Sequence, residues 1–294
     1  MGRLRELATQ GTPILGDGGM GTMLQEAGLD DGGAPELWNV ERPEAVAAIL
    51  QAYADAGSRI ITTNTFGGTA PRLAMHGLDD RVEELNRAGA EIARRVADSV
   101  GGLVAGDVGP TGELFEPLGT MTPEDARAIF EAQIRGLLAG GADFILVETM
   151  SDLAEVEAAV RAVQAVAADL PIVVTLSFDT HLRTMMGVTP TAAVTTLADL
   201  GVSAVGANCG RGPEEMEAIM EQMVAARPEG MLLVAQSNAG LPQLVGDRFE
   251  YDAAPDRMAE HAATLRALGV DLIGACCGST PDHLRAMSEA LNPA

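Results

Sequence analysis

A (β/α)8 or TIM barrel, an α/β fold in a single domain over residues 1–294, is the architecture this sequence predicts. Three observations predict it. Short apolar, β-branched runs alternate with longer amphipathic stretches, eight times over. The runs are almost continuously apolar, as parallel strands covered on both faces require. Polar residues then gather at the ends of those runs, where a barrel would bring them to one mouth. An open doubly wound sheet is disfavoured by the count of eight and by the lack of an early Gly-x-Gly-x-x-Gly turn. A chain of 294 residues that is 47% hydrophobic can bury a core of this size.

The elements follow in order. Residues 1–7 read as a short amphipathic helix. Strands are predicted at 13–18, 59–64, 103–108, 144–148, 172–177, 204–209, 232–236 and 271–276. The paired helices are predicted at 43–56, 81–99, 123–139, 153–168, 191–200, 213–226, 255–268 and 281–291. Pro43, Pro123, Pro213, Pro255 and Pro281 fit a first helical turn, where the missing N–H costs nothing. Thr122 and Thr280 add capping hydroxyls, and Gly57, Gly140, Gly201 and Gly269 mark helix ends. The long loops, at 29–39, 110–121, 179–189 and 237–254, all follow strands and so belong to the mouth. No linker or second module is expected.

The net charge of −23 excludes nucleic acid and anionic membrane as partners, since both select basic surfaces. No apolar run reaches membrane-span length and no export signal opens the chain, so the expected location is the cytoplasm. The strand ends carry Asp17, Thr62, Thr63, Asn64, Asp107, Glu148, Thr149, Ser177, Asn208, Cys209, Gln236, Asn238, Cys276 and Cys277. Any one of these could be a turn or capping residue. As a set they point to one site.

All three cysteines, Cys209, Cys276 and Cys277, fall at strand ends. A buried apolar role would account for one of them, not for this placement. An odd count without an export signal speaks against a disulfide framework. Adjacent Cys276 and Cys277 lack the Cys-x-x-Cys geometry of a redox pair. Three thiolates suit zinc, and they leave one tetrahedral position open, as catalytic zinc requires. Such a net-anionic site is a weak activator of water but a good binder of a further thiol. It therefore points to alkyl transfer onto sulfur rather than hydrolysis.

Several motifs carry a resemblance over nearly the whole chain: Gly16-Asp17-Gly18-Gly19-Met20-Gly21-Thr22, Thr63-Asn64-Thr65-Phe66-Gly67, Gly106-Asp107-Val108-Gly109-Pro110-Thr111-Gly112-Glu113, Glu148-Thr149, Asn208-Cys209-Gly210, Asn238-Ala239-Gly240 and Gly274-Ala275-Cys276-Cys277-Gly278. With them the sequence resembles the zinc-dependent homocysteine S-methyltransferase family. Two branches share most: the homocysteine-binding barrel of cobalamin-dependent methionine synthases, and bacterial betaine–homocysteine methyltransferase-like proteins. The latter also share 34–39 and the Ser177-Phe178-Asp179 segment.

The resemblance implies a set of roles. Cys209, Cys276 and Cys277 would ligate one zinc ion per chain, with the homocysteine sulfur as fourth ligand. Asp17 and Glu148 would hold the α-ammonium, and the N–H groups of Gly18 and Thr63 the carboxylate. Asn238 would take the open metal position before substrate arrives. The product would be methionine, and a homodimer is expected on resemblance alone.

The donor is less specified. Animal betaine-dependent members place aromatic residues where this chain has Gly67 and Thr149, and a quaternary ammonium donor usually needs an aromatic cage. Only nine residues here are aromatic (one Trp, two Tyr, six Phe), and Trp38, Phe66 and Phe115 are the candidates left near the mouth. Gly67 and Thr149 read as leaving that mouth wide. This favours a methylcorrinoid presented by a cobalamin-binding partner. Betaine, a split system active only with that partner, and a different thiol acceptor stay open as alternatives. His261 and His283 read as helix residues and His181 as a loop residue near the donor.

Overall fold

The computed structural model describes residues 2–8, 11–29, 32–178, 181–245 and 248–292. Of the positions named above, Met1, Asp30, Asp31, Asp179, Thr180, Gly246, Asp247, Pro293 and Ala294 lie outside them. Eight parallel strands form the barrel: β1 (Ile14–Leu15), β2 (Ile60–Thr62), β3 (Leu103–Val108), β4 (Phe144–Met150), β5 (Ile172–Leu176), β6 (Ala204–Cys209), β7 (Leu232–Ser237) and β10 (Leu272–Ala275). Their order around the sheet is β1-β10-β7-β6-β5-β4-β3-β2. Between β7 and β10 the chain adds an antiparallel hairpin, β8 (Pro242–Val245) with β9 (Arg248–Tyr251).

Each barrel strand sits within the run that sequence patterning predicts or extends it by a residue or two. The eight paired helices agree as closely, from Pro43–Asp55 to Pro281–Leu291. The capping logic holds locally. Thr122 Oγ1 accepts the N–H of Asp125 at 3.1 Å. Thr280 and His283 form a reciprocal cap that starts the last helix. The β8–β9 hairpin lies in the stretch 237–254 read as a loop, and short helices at Met20–Glu26 and Ala70–Ala74 occupy stretches to which sequence patterning assigns no element.

Two apolar layers hold the barrel. Inside it, Ile14, Ile60, Leu103, Phe144, Val173 and Leu232 pack together, and Leu4 of the N-terminal helix Gly2–Ala8 joins them. Outside it, the strands bury Val104, Ile145, Val174 and Val205 against the helices. Full burial of such side chains is worth about 1.5–3 kcal/mol each, so strand position is set by both faces at once.

The ladder is continuous except between β1 and β2. There the seam closes through three local devices: Arg59 N–H to Leu15 O at 2.8 Å, Ser58 Oγ to Gly16 O at 2.8 Å, and the Asp17 carboxylate. Asp17 accepts from Thr62 N at 2.6 Å and Thr62 Oγ1 at 2.7 Å. A side chain from the mouth thus completes the barrel.

Candidate metal centre and substrate cavity

Cys209 ends β6, while Cys276 and Cys277 follow β10, and all three are half-buried. Their sulfurs converge: Cys209 to Cys276 is 3.2 Å, Cys276 to Cys277 is 3.9 Å, and all three lie within 4.8 Å of one another. Sulfurs tetrahedrally placed about 2.3 Å from zinc are about 3.8 Å apart, so the observed separations bracket the required value.

The backbone brings them there deliberately. Cys209 has φ 59°, in the left-handed region that non-glycine residues seldom occupy. Cys276 N–H bonds Ser237 O at 2.8 Å, and Ala239 N–H bonds Cys277 O at 2.9 Å. Asn238 braces both loops, donating to Gly210 O at 2.7 Å and accepting from Cys277 N at 3.1 Å. Its amide is therefore committed to loop backbone rather than turned to the open metal position. Tyr251, at the end of β9, packs its ring on Gly278, and burial followed by the charge of Cys277 raises its hydroxyl above the usual phenol range.

Protons are shared unevenly among such close thiols. Hydrogen bonds with Cys209 and Cys277, together with burial, push the Cys276 thiol up. Hydrogen bonds from Cys209 and Cys276 push that of Cys277 down. A divalent cation would replace the shared protons and let all three ionise, and the donor set fits zinc.

The sulfurs open onto a cavity of about 530 Å³, lined also by Asp17, Gly18, Thr63, Asp107, Glu148 and Gln236. Three of these are acids. Burial lifts Asp17 to about 6 against the lowering pull of its Thr62 hydrogen bonds. Burial likewise lifts Glu148 to about 7, with the charges of Asp17 and Cys277 adding to it and the Asp107 hydrogen bond opposing. Asp107 is 3% exposed and is raised too, by burial and then by the Glu148 charge. One oxygen of Asp107 and the Gln236 amide oxygen are buried without a partner. Among the described residues none of the three acids is in an ion pair. The cavity is built to receive a cation with several N–H donors.

Asp17, Gly18, Thr63 and Glu148 line the same cavity as the cysteines, while Asn238 stands behind them. Gly18 N–H makes no hydrogen bond among the described residues, whereas Thr63 N–H already bonds Ala105 O at 3.0 Å. Asp107 was visible as a strand-end acid but had no role assigned. Tyr251 gave no signal, because its approach depends on the hairpin.

The outer half of the cavity differs from the expectation of a simply widened mouth. Gly67 N–H donates to Glu36 Oε1 at 2.6 Å, and a Cβ at Gly67 would sit 2.9 Å from that oxygen. Glu36, 4% exposed, fills the space that a larger residue at 67 would take. Of the three aromatic candidates only Phe66 lines the cavity. Trp38 is buried under Arg42, 4.6 Å from its ring centroid, and Phe115 is buried in its own loop. His181 is exposed with φ 52°, His261 is buried against Glu217, and His283 caps its helix.

The barrel thus brings a cluster of three thiols and three buried acids to one cavity at its mouth. Residues 14–291 match the homocysteine S-methyltransferase family, and the chain belongs to it. It is 36% identical over 294 residues to methionine synthase of Mycobacterium tuberculosis, an alignment covering 95% of this chain and 24% of that protein. Methionine synthase of Mycobacterium leprae is similar at 35%, with the same coverage. The chain therefore spans about a quarter of the length of these relatives. Among solved structures, the metallated form of the homocysteine methyltransferase MmuM from Escherichia coli superposes with a TM-score of 0.81 at 25% identity. That match covers 97% of this chain and 98% of the other.

Proposed function

We propose that this chain binds homocysteine in the mouth cavity and transfers a methyl group to its sulfur, forming methionine, with one zinc ion held by Cys209, Cys276 and Cys277. The observation that carries this reading is the opening of three sulfurs and three buried carboxyls onto one cavity. Zinc bound there supplies a Lewis acid that lowers the pKa of a thiol from about 8.5, so thiolate exists at neutral pH without a general base.

The protein's own residues do the rest. Asp17, Glu148 and Asp107 receive the α-ammonium, which neutralises charge that burial disfavours. The Gly18 N–H, which makes no hydrogen bond among the described residues, is the donor offered to the carboxylate. Thr63 shapes the wall, and its Oγ1 accepts from Asp107 N at 2.9 Å and so fixes that acid's backbone. With the amino-acid end held, the substrate sulfur points toward the cysteines. It attacks the methyl carbon in line. The new S–C bond forms as the bond from methyl to donor breaks, and the electron pair leaves with the donor.

A methylcorrinoid carried by a second protein or domain is the donor best supported. Among the described residues, Phe66 is the one Phe, Tyr or Trp that lines the cavity. The mouth loops expose Met75, Leu114, Leu118, Met185, Met186 and Leu241. An apolar rim suits a macromolecular partner better than a small soluble donor. The relatives' greater length is consistent with a donor-carrying partner for this barrel.

The test is zinc-loaded protein with homocysteine, assayed in parallel against methylcobalamin, betaine and S-methylmethionine. Methionine from methylcobalamin alone is expected. Turnover with betaine at a comparable rate would overturn the donor assignment. Binding without turnover by any donor would point to a required cobalamin-binding partner.

A further inference from the structure

Two non-glycine residues at the mouth share an unusual backbone conformation. Thr149, after Glu148 on β4, and Cys209, at the end of β6, both have φ 59°. A β-branched residue at positive φ is a true outlier and persists only when its surroundings hold it. The β4–β5 register also breaks between Val147 and Met150, the stretch that contains Glu148 and Thr149. Bulges of this kind re-aim a side chain next to a site. Here the side chain is Glu148.

One residue holds the bulge. Asn208, 1% exposed, accepts from Thr149 N at 3.0 Å through Oδ1 and donates to Thr149 Oγ1 at 2.6 Å through Nδ2. The same Nδ2 lies 3.4 Å from the Cys209 sulfur. A backbone N–H can only donate, so the amide orientation is fixed, with nitrogen toward hydroxyl and sulfur. β4 and β6 are not neighbours, since β5 lies between them. β5 stops at Leu176, and Asn208 reaches across beyond its end.

We propose that Asn208 is a positioning residue that clasps the carboxylate-bearing end of β4 to the sulfur-bearing end of β6, fixing Glu148 for the substrate ammonium and Cys209 for the metal. The inference rests on the metal and amino-acid reading above. It assigns Thr149 a purpose other than leaving room: its hydroxyl is the clasp's acceptor. The N–H···S contact withdraws charge from the Cys209 sulfur, so Asn208 also tempers that ligand.

The experiment titrates metal-free wild type, Asn208→Ala and Thr149→Val with Co²⁺, following the thiolate-to-cobalt absorption, and then with norvaline, an amino acid without sulfur. Loss of an outer-shell partner typically costs 10–100-fold in metal affinity. Asn208→Ala is expected to bind Co²⁺ about 10–100-fold more weakly, with the band moved to lower energy and weaker norvaline binding. Thr149→Val is expected to weaken norvaline binding while leaving the cobalt band in place. Wild-type band position and wild-type norvaline affinity in Asn208→Ala would overturn the clasp. If that variant does not fold by circular dichroism, Thr149→Val decides, and unchanged norvaline affinity there overturns it. A wild-type protein that binds neither Co²⁺ nor norvaline overturns the site reading itself, a result distinct from the others.

Discussion

Asp17 shows how one residue serves two ends. Its carboxylate stands in for a missing stretch of β1–β2 ladder, and it faces the cavity beside Glu148. Burial raises its folded-state pKa to about 6 from the unfolded 3.8. A raised acid favours the folded state below its unfolded pKa, and that contribution is lost as pH rises through the folded value. Metal-free protein should therefore lose on the order of 3 kcal/mol from Asp17 between about pH 4 and 7. Asp17→Asn should flatten the change in midpoint of urea unfolding over that window; an unaltered slope would remove Asp17 as its source. On the proposed reading a substrate ammonium would supply the missing counter-charge, so Glu148→Ala should raise the KM for homocysteine by about 10–100-fold with a smaller change in kcat. Steady-state kinetics at pH 8 measures this, and an unchanged KM would take Glu148 out of the site. Residue types at strand ends were legible in the sequence. Which polar groups had spare hydrogen-bonding capacity was not: the Thr63 N–H and the Asn238 amide look available in sequence but are spent on Ala105 O and the cysteine loops, whereas the Asp107 carboxylate is not fully spent.

At the scale of elements, the strand–helix alternation was readable because the strands are buried on both faces and six of the eight paired helices start on Pro, three of them behind a threonine cap. Strand β1 is shorter than its apolar run suggests, two residues rather than six, because the seam beyond it is closed by side chains. The β8–β9 hairpin was missed although Gly246-Asp247 is a hairpin-like pair between two β-prone stretches. Its consequence is Tyr251. The ring leans on Gly278, whose φ of 79° and lack of a side chain make room for it, and the hydroxyl comes within the electrostatic influence of Cys277. Tyr251→Phe keeps the ring and removes the hydroxyl. It should weaken zinc binding about 10-fold in chelator competition, and an unchanged affinity would leave Tyr251 a packing residue only.

For the whole molecule, the barrel gathers chemistry from every quarter of the chain onto one face: Asp17, Asp107, Glu148, Cys209 and the Cys276–Cys277 pair come from five different strands or their loops. That convergence turns scattered polar residues into a site, and it was legible once eight strands were counted. The donor side was less legible, because Gly67 reads as open space in sequence, while a buried carboxylate from Glu36, 31 positions away, occupies it. Exposed Met75 also lines the cavity, so on the proposed reading a donor-bearing partner would meet the substrate sulfur there. The decisive measurement is X-ray absorption at the zinc edge of the loaded protein, before and after homocysteine. The expected result is a sulfur shell rising from three to four ligands at about 2.3 Å. A shell that stays at three sulfurs under saturating homocysteine would contradict thiol delivery to the Cys209–Cys276–Cys277 centre.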